Sequence, residues 1–125
     1  MAKILVAEDE AIVRLLVAET LRNCGHTVLE AADGQSALDA IHECADLDLI
    51  VSDIRLPKMD GFSVARSARQ LRPGLRLLFL TGYVRAELPS ELVPAVIMRK
   101  PFDPDNLARI VTGMLETKLA EPRAS

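Results

Sequence analysis

The sequence predicts a doubly wound α/β domain, with a parallel five-stranded sheet in the order 2-1-3-4-5 and helices on both faces. Runs that are apolar on successive residues, such as Leu49 to Val51, are too short for helices and suit strands buried on both sides. They alternate with segments of helical period, and right-handed crossovers leave few strand orders open. The strands also end in charged or hydroxylated residues, at the edge where sheets of this kind bind their ligands.

Lys3 to Ala7 reads as the first strand and leads into Glu8-Asp9-Glu10. Ile12, Leu15, Leu16 and Glu19 then fall at helical spacing, with Leu21 closing the apolar stripe and Gly25 placed as the C′ residue. Thr27 to Glu30 is a short second strand. Asp33-Gly34-Gln35-Ser36 starts a second helix that turns Ala37, Leu38 and Ile41 inward. The third strand stops at Asp53, Pro57 ends the extended stretch, and Met59-Asp60-Gly61 opens the next helix. That helix, from about Phe62 to Leu71, is expected to bury Phe62, Ala65, Ala68 and Leu71 and to present Arg66, Arg69 and Arg72 as a solvated face.

After Pro73-Gly74, Arg76 to Leu80 forms the fourth strand, ending in Thr81-Gly82-Tyr83. Residues 84–94 contain Pro89 and Pro94 and are poorly helical, so the fourth helix is expected to be short or irregular. Ala95 to Arg99 is the fifth strand, ending at Lys100-Pro101. The last helix has Asp103 as N-cap, Pro104 at the first position and Asp105 in the first turn. Its inner face is Leu107, Ile110, Val111, Met114 and Leu115.

A chain of 125 residues makes one domain, expected over residues 1–120, with a frayed tail over 121–125. One tyrosine and three phenylalanines leave the core to aliphatic side chains. The net charge of −3 and dispersed Lys and Arg argue against direct nucleic-acid binding. No apolar run approaches the about 18 residues of a membrane span, and Met1-Ala2-Lys3 leaves no room for a signal peptide. The expectation is a cytoplasmic protein, monomeric or weakly dimeric, with Cys24 and Cys44 as reduced, buried thiols.

The strand ends bring Glu8, Asp9, Asp53, Thr81 and Lys100 to one edge. Carboxylates gathered there repel one another and call for a counter-ion. Hard oxygen ligands with open positions suit Mg²⁺, and a lysine and a hydroxyl beside it can hold phosphoryl oxygens. Asp53 is then a carboxylate nucleophile that forms an aspartyl phosphate. Each residue has an ordinary explanation as a cap, a turn residue or a surface charge, but those explanations leave their shared edge unaccounted for. His26 and His42 lack any such constellation and read as ordinary helix-end residues.

As a set, these residues resemble the receiver domain of two-component response regulators. The resemblance runs from Lys3 to about Leu119 and rests on Glu8-Asp9, on Asp53 followed by Leu56-Pro57-Lys58-Met59-Asp60-Gly61, on Thr81, and on Lys100-Pro101-Phe102. It implies a flavodoxin-like receiver fold and a phosphoryl group accepted on Asp53 from a histidine kinase or histidine phosphotransfer protein. It also implies Mg²⁺ held by Asp9, Asp53 and the Arg55 carbonyl, with Glu8 acting through water, and phosphoryl oxygens bound by Thr81 and Lys100. Lys100-Pro101 looks like the family's cis peptide. Ile97 stands where the family has its switch aromatic. Phe79-Leu80-Thr81-Gly82-Tyr83 is partly similar to the signature of the FAT GUY receivers, which makes Tyr83 the alternative switch residue.

The function so implied is a stand-alone phosphoacceptor. It would pass its signal to another protein through the surface between the fourth and fifth strands, or serve as a phosphate sink. The competing reading is a small phosphatase turning over an aspartyl phosphate. Phosphatases of the haloacid dehalogenase type carry an acid two residues after the nucleophile, where this chain has Arg55. A flavin or dinucleotide site would need a Gly-rich first turn in place of Glu8-Asp9-Glu10.

Overall fold

The computed structural model describes residues 1–82 and 87–116. The elements are β1 (Lys3–Ala7), α1 (Ala11–Asn23), β2 (Thr27–Ala31), α2 (Gly34–Glu43), β3 (Leu49–Asp53), α3 (Gly61–Leu71), β4 (Arg76–Thr81), a 3-10 turn (Ser90–Leu92), β5 (Val96–Arg99) and α4 (Pro104–Glu116). All strands pair in parallel in the expected order β2-β1-β3-β4-β5. The pairings Ala7 with Ser52, Asp53 with Leu80 and Thr81 with Arg99 bring the strand ends to one edge.

Because successive side chains on a strand point to opposite faces, the sheet divides the core in two. Ile4, Val6, Val51 and Leu78 pack with Val17 and Leu21 of α1 and Leu107 and Val111 of α4. Leu5, Ile50, Leu77 and Phe79 pack with Ile41 of α2 and with Val64, Ala65 and Ala68 of α3. Phe62 meets Phe79 edge to face, with ring centroids 5.0 Å apart.

The helix boundaries follow local chemistry. Asp33 accepts from the Ser36 amide at 2.7 Å, Asp60 from the Ser63 amide at 2.9 Å, and Asp103 from the Asp105 amide at 3.1 Å. At the end of α1, Gly25 takes φ 94°, its amide bonds to the Arg22 carbonyl, and the His26 amide bonds to the Leu21 carbonyl. That is the Schellman arrangement expected of a C′ glycine.

Several expectations need correction. Ile12, Leu15 and Leu16 do not face the core; they are 84%, 54% and 43% exposed, and Val17 and Ala18 are buried instead, beside Leu21, which is buried as expected. Both stripes have helical period, and the sheet takes the one that contains Ala18, whose small side chain permits close approach. Leu71 is likewise exposed at the end of α3. The arginines of α3 are not a purely solvated face. Arg72 donates to the Ile41 carbonyl at 2.8 Å and Arg66 pairs with Glu91 at 2.6 Å. Cys24 is exposed and Cys44 half-buried, because each is the residue that ends its helix, α1 and α2, rather than part of a buried face.

Arg69 has the largest structural role of the three. It donates through Nε to the Leu75 carbonyl at 2.9 Å, through Nη1 to Leu92 at 3.0 Å and through Nη2 to Pro94 at 2.7 Å. Regular helix would satisfy such carbonyls internally; in the β4–β5 connection a guanidinium does it. Leu92 and the half-buried Leu88 then cover the α2/α3 side of the sheet. The peptide bonds Val93-Pro94 and Lys100-Pro101 are both cis.

Replacing Arg69 with Ala strands these carbonyls and should cost about 2–3 kcal/mol in chemical denaturation. Amide exchange in residues 87–95 should accelerate as well. An unchanged midpoint with unchanged exchange would remove the clamp.

Candidate functional site

β1, β3, β4 and β5 deliver the site. Glu8 follows β1 directly and is fully buried, its amide bonded to the Ala31 carbonyl at 3.0 Å. Asp53 is the last residue of β3, and Thr81, the last of β4, is 1% exposed. Lys100 follows β5, where its amide donates to the Thr81 carbonyl at 2.7 Å. Its ammonium donates to Glu8 Oε1 at 2.8 Å and to Asp53 Oδ2 at 2.7 Å. The second oxygen of each carboxylate accepts a backbone amide: Glu8 Oε2 from Glu10 at 3.0 Å, and Asp53 Oδ1 from Arg55 at 3.2 Å.

Asp9 is exposed beside them, and Glu8, Asp9 and Asp53 each offer an oxygen within 4.8 Å of the others. Oxygens on opposite sides of one Mg²⁺ lie about 4 Å apart, so this oxygen-only set fits a hard divalent cation. One ammonium against three carboxylates leaves the cluster negative, which favours a cation further. Burial raises the Glu8 carboxyl above the ordinary range, against the opposing hydrogen bonds from Lys100 and the Glu10 amide. Burial also works against the Lys100 ammonium, but its bonds to Asp53 and Glu8 together outweigh it and raise Lys100 above its ordinary value.

The loop after β3 approaches its neighbours too closely for side chains at two glycines. A Cβ on Gly34 would lie 1.9 Å from the Met59 carbonyl oxygen, and one on Gly61 would lie 2.2 Å from that of Asp53. The Gly34 amide bonds to the Pro57 carbonyl at 3.0 Å, and Lys58, at φ 72°, reaches Asp33 at 3.5 Å. The loop carrying Arg55 is thus held against the start of α2. Sequence reading placed Gly34 and Gly61 at helix starts but missed their close backbone contacts and the Arg14 bond to the Glu8 carbonyl, since each depends on which elements become neighbours. Ile97 is half-buried on the α2/α3 side, and Tyr83 lies outside the described residues. His26 has a structural role, its Nδ1 accepting the Ala2 amide at 3.0 Å.

The two raised values act on stability with the same sign. Each contributes stability that is present below the unfolded-state pKa and is lost as pH rises through the higher folded value. For Lys100 that loss begins above the ordinary lysine value of 10.5. The melting temperature of the metal-free protein should therefore fall above that pH. Lys100→Met should lower it at neutral pH and flatten the alkaline fall. An identical alkaline profile in the variant would separate Lys100 from the carboxylates.

Comparison with known proteins places the fold in a family. The chain is 33% identical over 118 residues to the response regulator receiver protein CpdR of Brucella abortus, covering 92% of this chain and 98% of CpdR. It is 35% identical over 119 residues to the sensor kinase CckA of the same organism, covering 92% of this chain but 13% of the kinase. The crystal structure of a response regulator receiver protein from Sinorhizobium medicae superposes with a TM-score of 0.86 at 34% identity, covering 94% of this chain and 96% of that one. The family profile of the response regulator receiver domain matches residues 4–112. With that match over most of its length, the chain belongs to the response regulator receiver domain family of two-component systems.

Proposed function

We propose that this chain is a signalling phosphoacceptor whose Asp53 takes a phosphoryl group from the phosphohistidine of a histidine kinase or phosphotransfer protein. The observation that carries the reading is the Asp53 carboxylate, bonded to Lys100 at 2.7 Å and clustered with Glu8 and Asp9 at the edge where β4 delivers Thr81. Asp9, Asp53 and the Arg55 carbonyl would hold Mg²⁺, with Glu8 acting through water. Such an ion, when bound, would supply positive charge to the transferring oxygens. An Asp53 oxygen forms the new bond to phosphorus as the bond from phosphorus to the histidine nitrogen breaks. Lys100 leaves Glu8 for a phosphoryl oxygen, and the Thr81 hydroxyl binds another. Arg55 has no carboxyl to protonate a leaving group, which argues against turnover of external phosphate esters.

The donor protein docks on the exposed side of α1. Ile12, Leu15 and Leu16 form an apolar face there, and Leu16 and Val13 line a groove of about 300 Å³ shared with Lys100, Pro101 and Phe102. A helix seated in that groove lies beside the ammonium that bonds the acceptor carboxylate, as transfer requires.

Output passes through residues 83–94, to a partner protein or by draining phosphate from a relay. Ile97 has no ring to swing between exposed and buried positions, so ordering of this segment, with Tyr83 as the aromatic that changes contacts, takes the place of an aromatic switch. The partial FAT GUY signature around Thr81 supports the same reading.

With acetyl phosphate and Mg²⁺, intact-mass analysis should show one added phosphoryl group, absent from Asp53→Asn; label on that variant would overturn the assignment. Ile12→Asp and Leu15→Asp should slow transfer from a cognate kinase by about tenfold while leaving labelling by acetyl phosphate intact. Equal slowing with both donors would place these residues outside the docking face. Hydrogen exchange with beryllofluoride should show greater protection in residues 83–94, and identical exchange in both states would move the output surface elsewhere.

A further inference from the structure

We propose that Arg14 is a positioning residue for the acidic metal-binding turn, an inference that rests on the Mg²⁺ reading given above. The turn from β1 to α1 passes through Glu8, Asp9 and Glu10 alone. Glu8 is gripped on both sides of its backbone. Its amide donates to the Ala31 carbonyl of β2 at 3.0 Å, and its carbonyl accepts Arg14 Nη1 at 2.8 Å. That carbonyl belongs to the peptide plane joining Glu8 to Asp9. Its orientation therefore fixes the Asp9 N–Cα bond and leaves only φ to set the direction in which the Asp9 side chain leaves the backbone.

Arg14 is itself fixed. Its Nε pairs with Glu30 Oε1 at 3.3 Å, and the other Glu30 oxygen is held by Arg22 Nη1 at 3.0 Å. Arg22 Nη2 in turn donates to the Val28 carbonyl at 3.0 Å. A rigid fork serves two acceptors in different directions, which a single ammonium cannot do with the same geometry. The sheet strand β2 thereby sets the plane of the metal-binding peptide through Glu30 and Arg14. Outer groups that orient metal ligands typically contribute 10–100-fold in affinity.

Positioning and simple charge predict opposite outcomes. Arg14 is a cation near a cation site, so removing its charge alone should tighten Mg²⁺ binding. Removing the support for the Glu8–Asp9 peptide should weaken it. Calorimetric titration of the full chain with Mg²⁺, without phosphodonor, separates the two. Arg14→Ala should bind about tenfold more weakly, and Arg14→Lys, which keeps the charge, should also bind more weakly than the unaltered chain. Unchanged or tighter binding by Arg14→Ala, with unchanged binding by Arg14→Lys, overturns the proposal. If Arg14→Ala fails to fold, Arg14→Lys alone decides it. If the unaltered chain takes up no Mg²⁺, the metal reading falls and this proposal falls with it.

Discussion

The interaction on which the site depends is the bridge from the Lys100 ammonium to Glu8 and Asp53, at 2.8 and 2.7 Å. It crosses the sheet, tying the ends of β1 and β3 to the residue that follows β5. Without it, a buried carboxylate and a nearly buried one would face each other uncompensated, which is strongly destabilising. With it, the metal-free domain keeps its acidic edge assembled and still carries excess negative charge for a cation. In the proposed transfer the bridging lysine is also the one that would move, because a phosphoryl group on Asp53 would offer a stronger acceptor than Glu8.

The rest of the fold serves this arrangement by fixing backbone close to the carboxylates. Strands buried on both faces give the edge a rigid base. Gly34 and Gly61 allow the β3–α3 loop to come within contact distance of α2 and of the Asp53 carbonyl. Arg14 and Arg69 do similar work at opposite ends of the domain. Each is an arginine on a helix whose fork satisfies backbone carbonyls outside that helix. In the β4–β5 connection this replaces the internal hydrogen bonding of a regular helix, so the segment is anchored at Leu92 and Pro94.

Much of this was legible in the sequence where the signal is local. Apolar runs ending at Glu8, Asp53, Thr81 and Lys100 marked the strands and the edge. Asp33, Asp60 and Asp103 marked the helix starts, and Gly25 the end of α1. What was not legible depends on tertiary neighbours. α1 carries two apolar stripes, and only packing shows that the one with Ile12, Leu15 and Leu16 stays outside. Arg69 and Arg72 look like surface charges until the carbonyls of Leu75, Leu92, Pro94 and Ile41 are placed beside them. The Arg14–Glu30 pair requires knowing that β2 lies next to β1 and under α1.

The central claim is that Asp53 is the acceptor and that Lys100 transfers its contact from Glu8 to the incoming group. A crystal structure with Mg²⁺ and beryllofluoride tests both parts directly. The account predicts beryllium on an Asp53 carboxylate oxygen, Lys100 Nζ on a fluorine instead of Glu8, and the metal among Asp9, Asp53 and the Arg55 carbonyl. Beryllofluoride bound elsewhere, or Lys100 still bridging Glu8 and an unmodified Asp53, would contradict it.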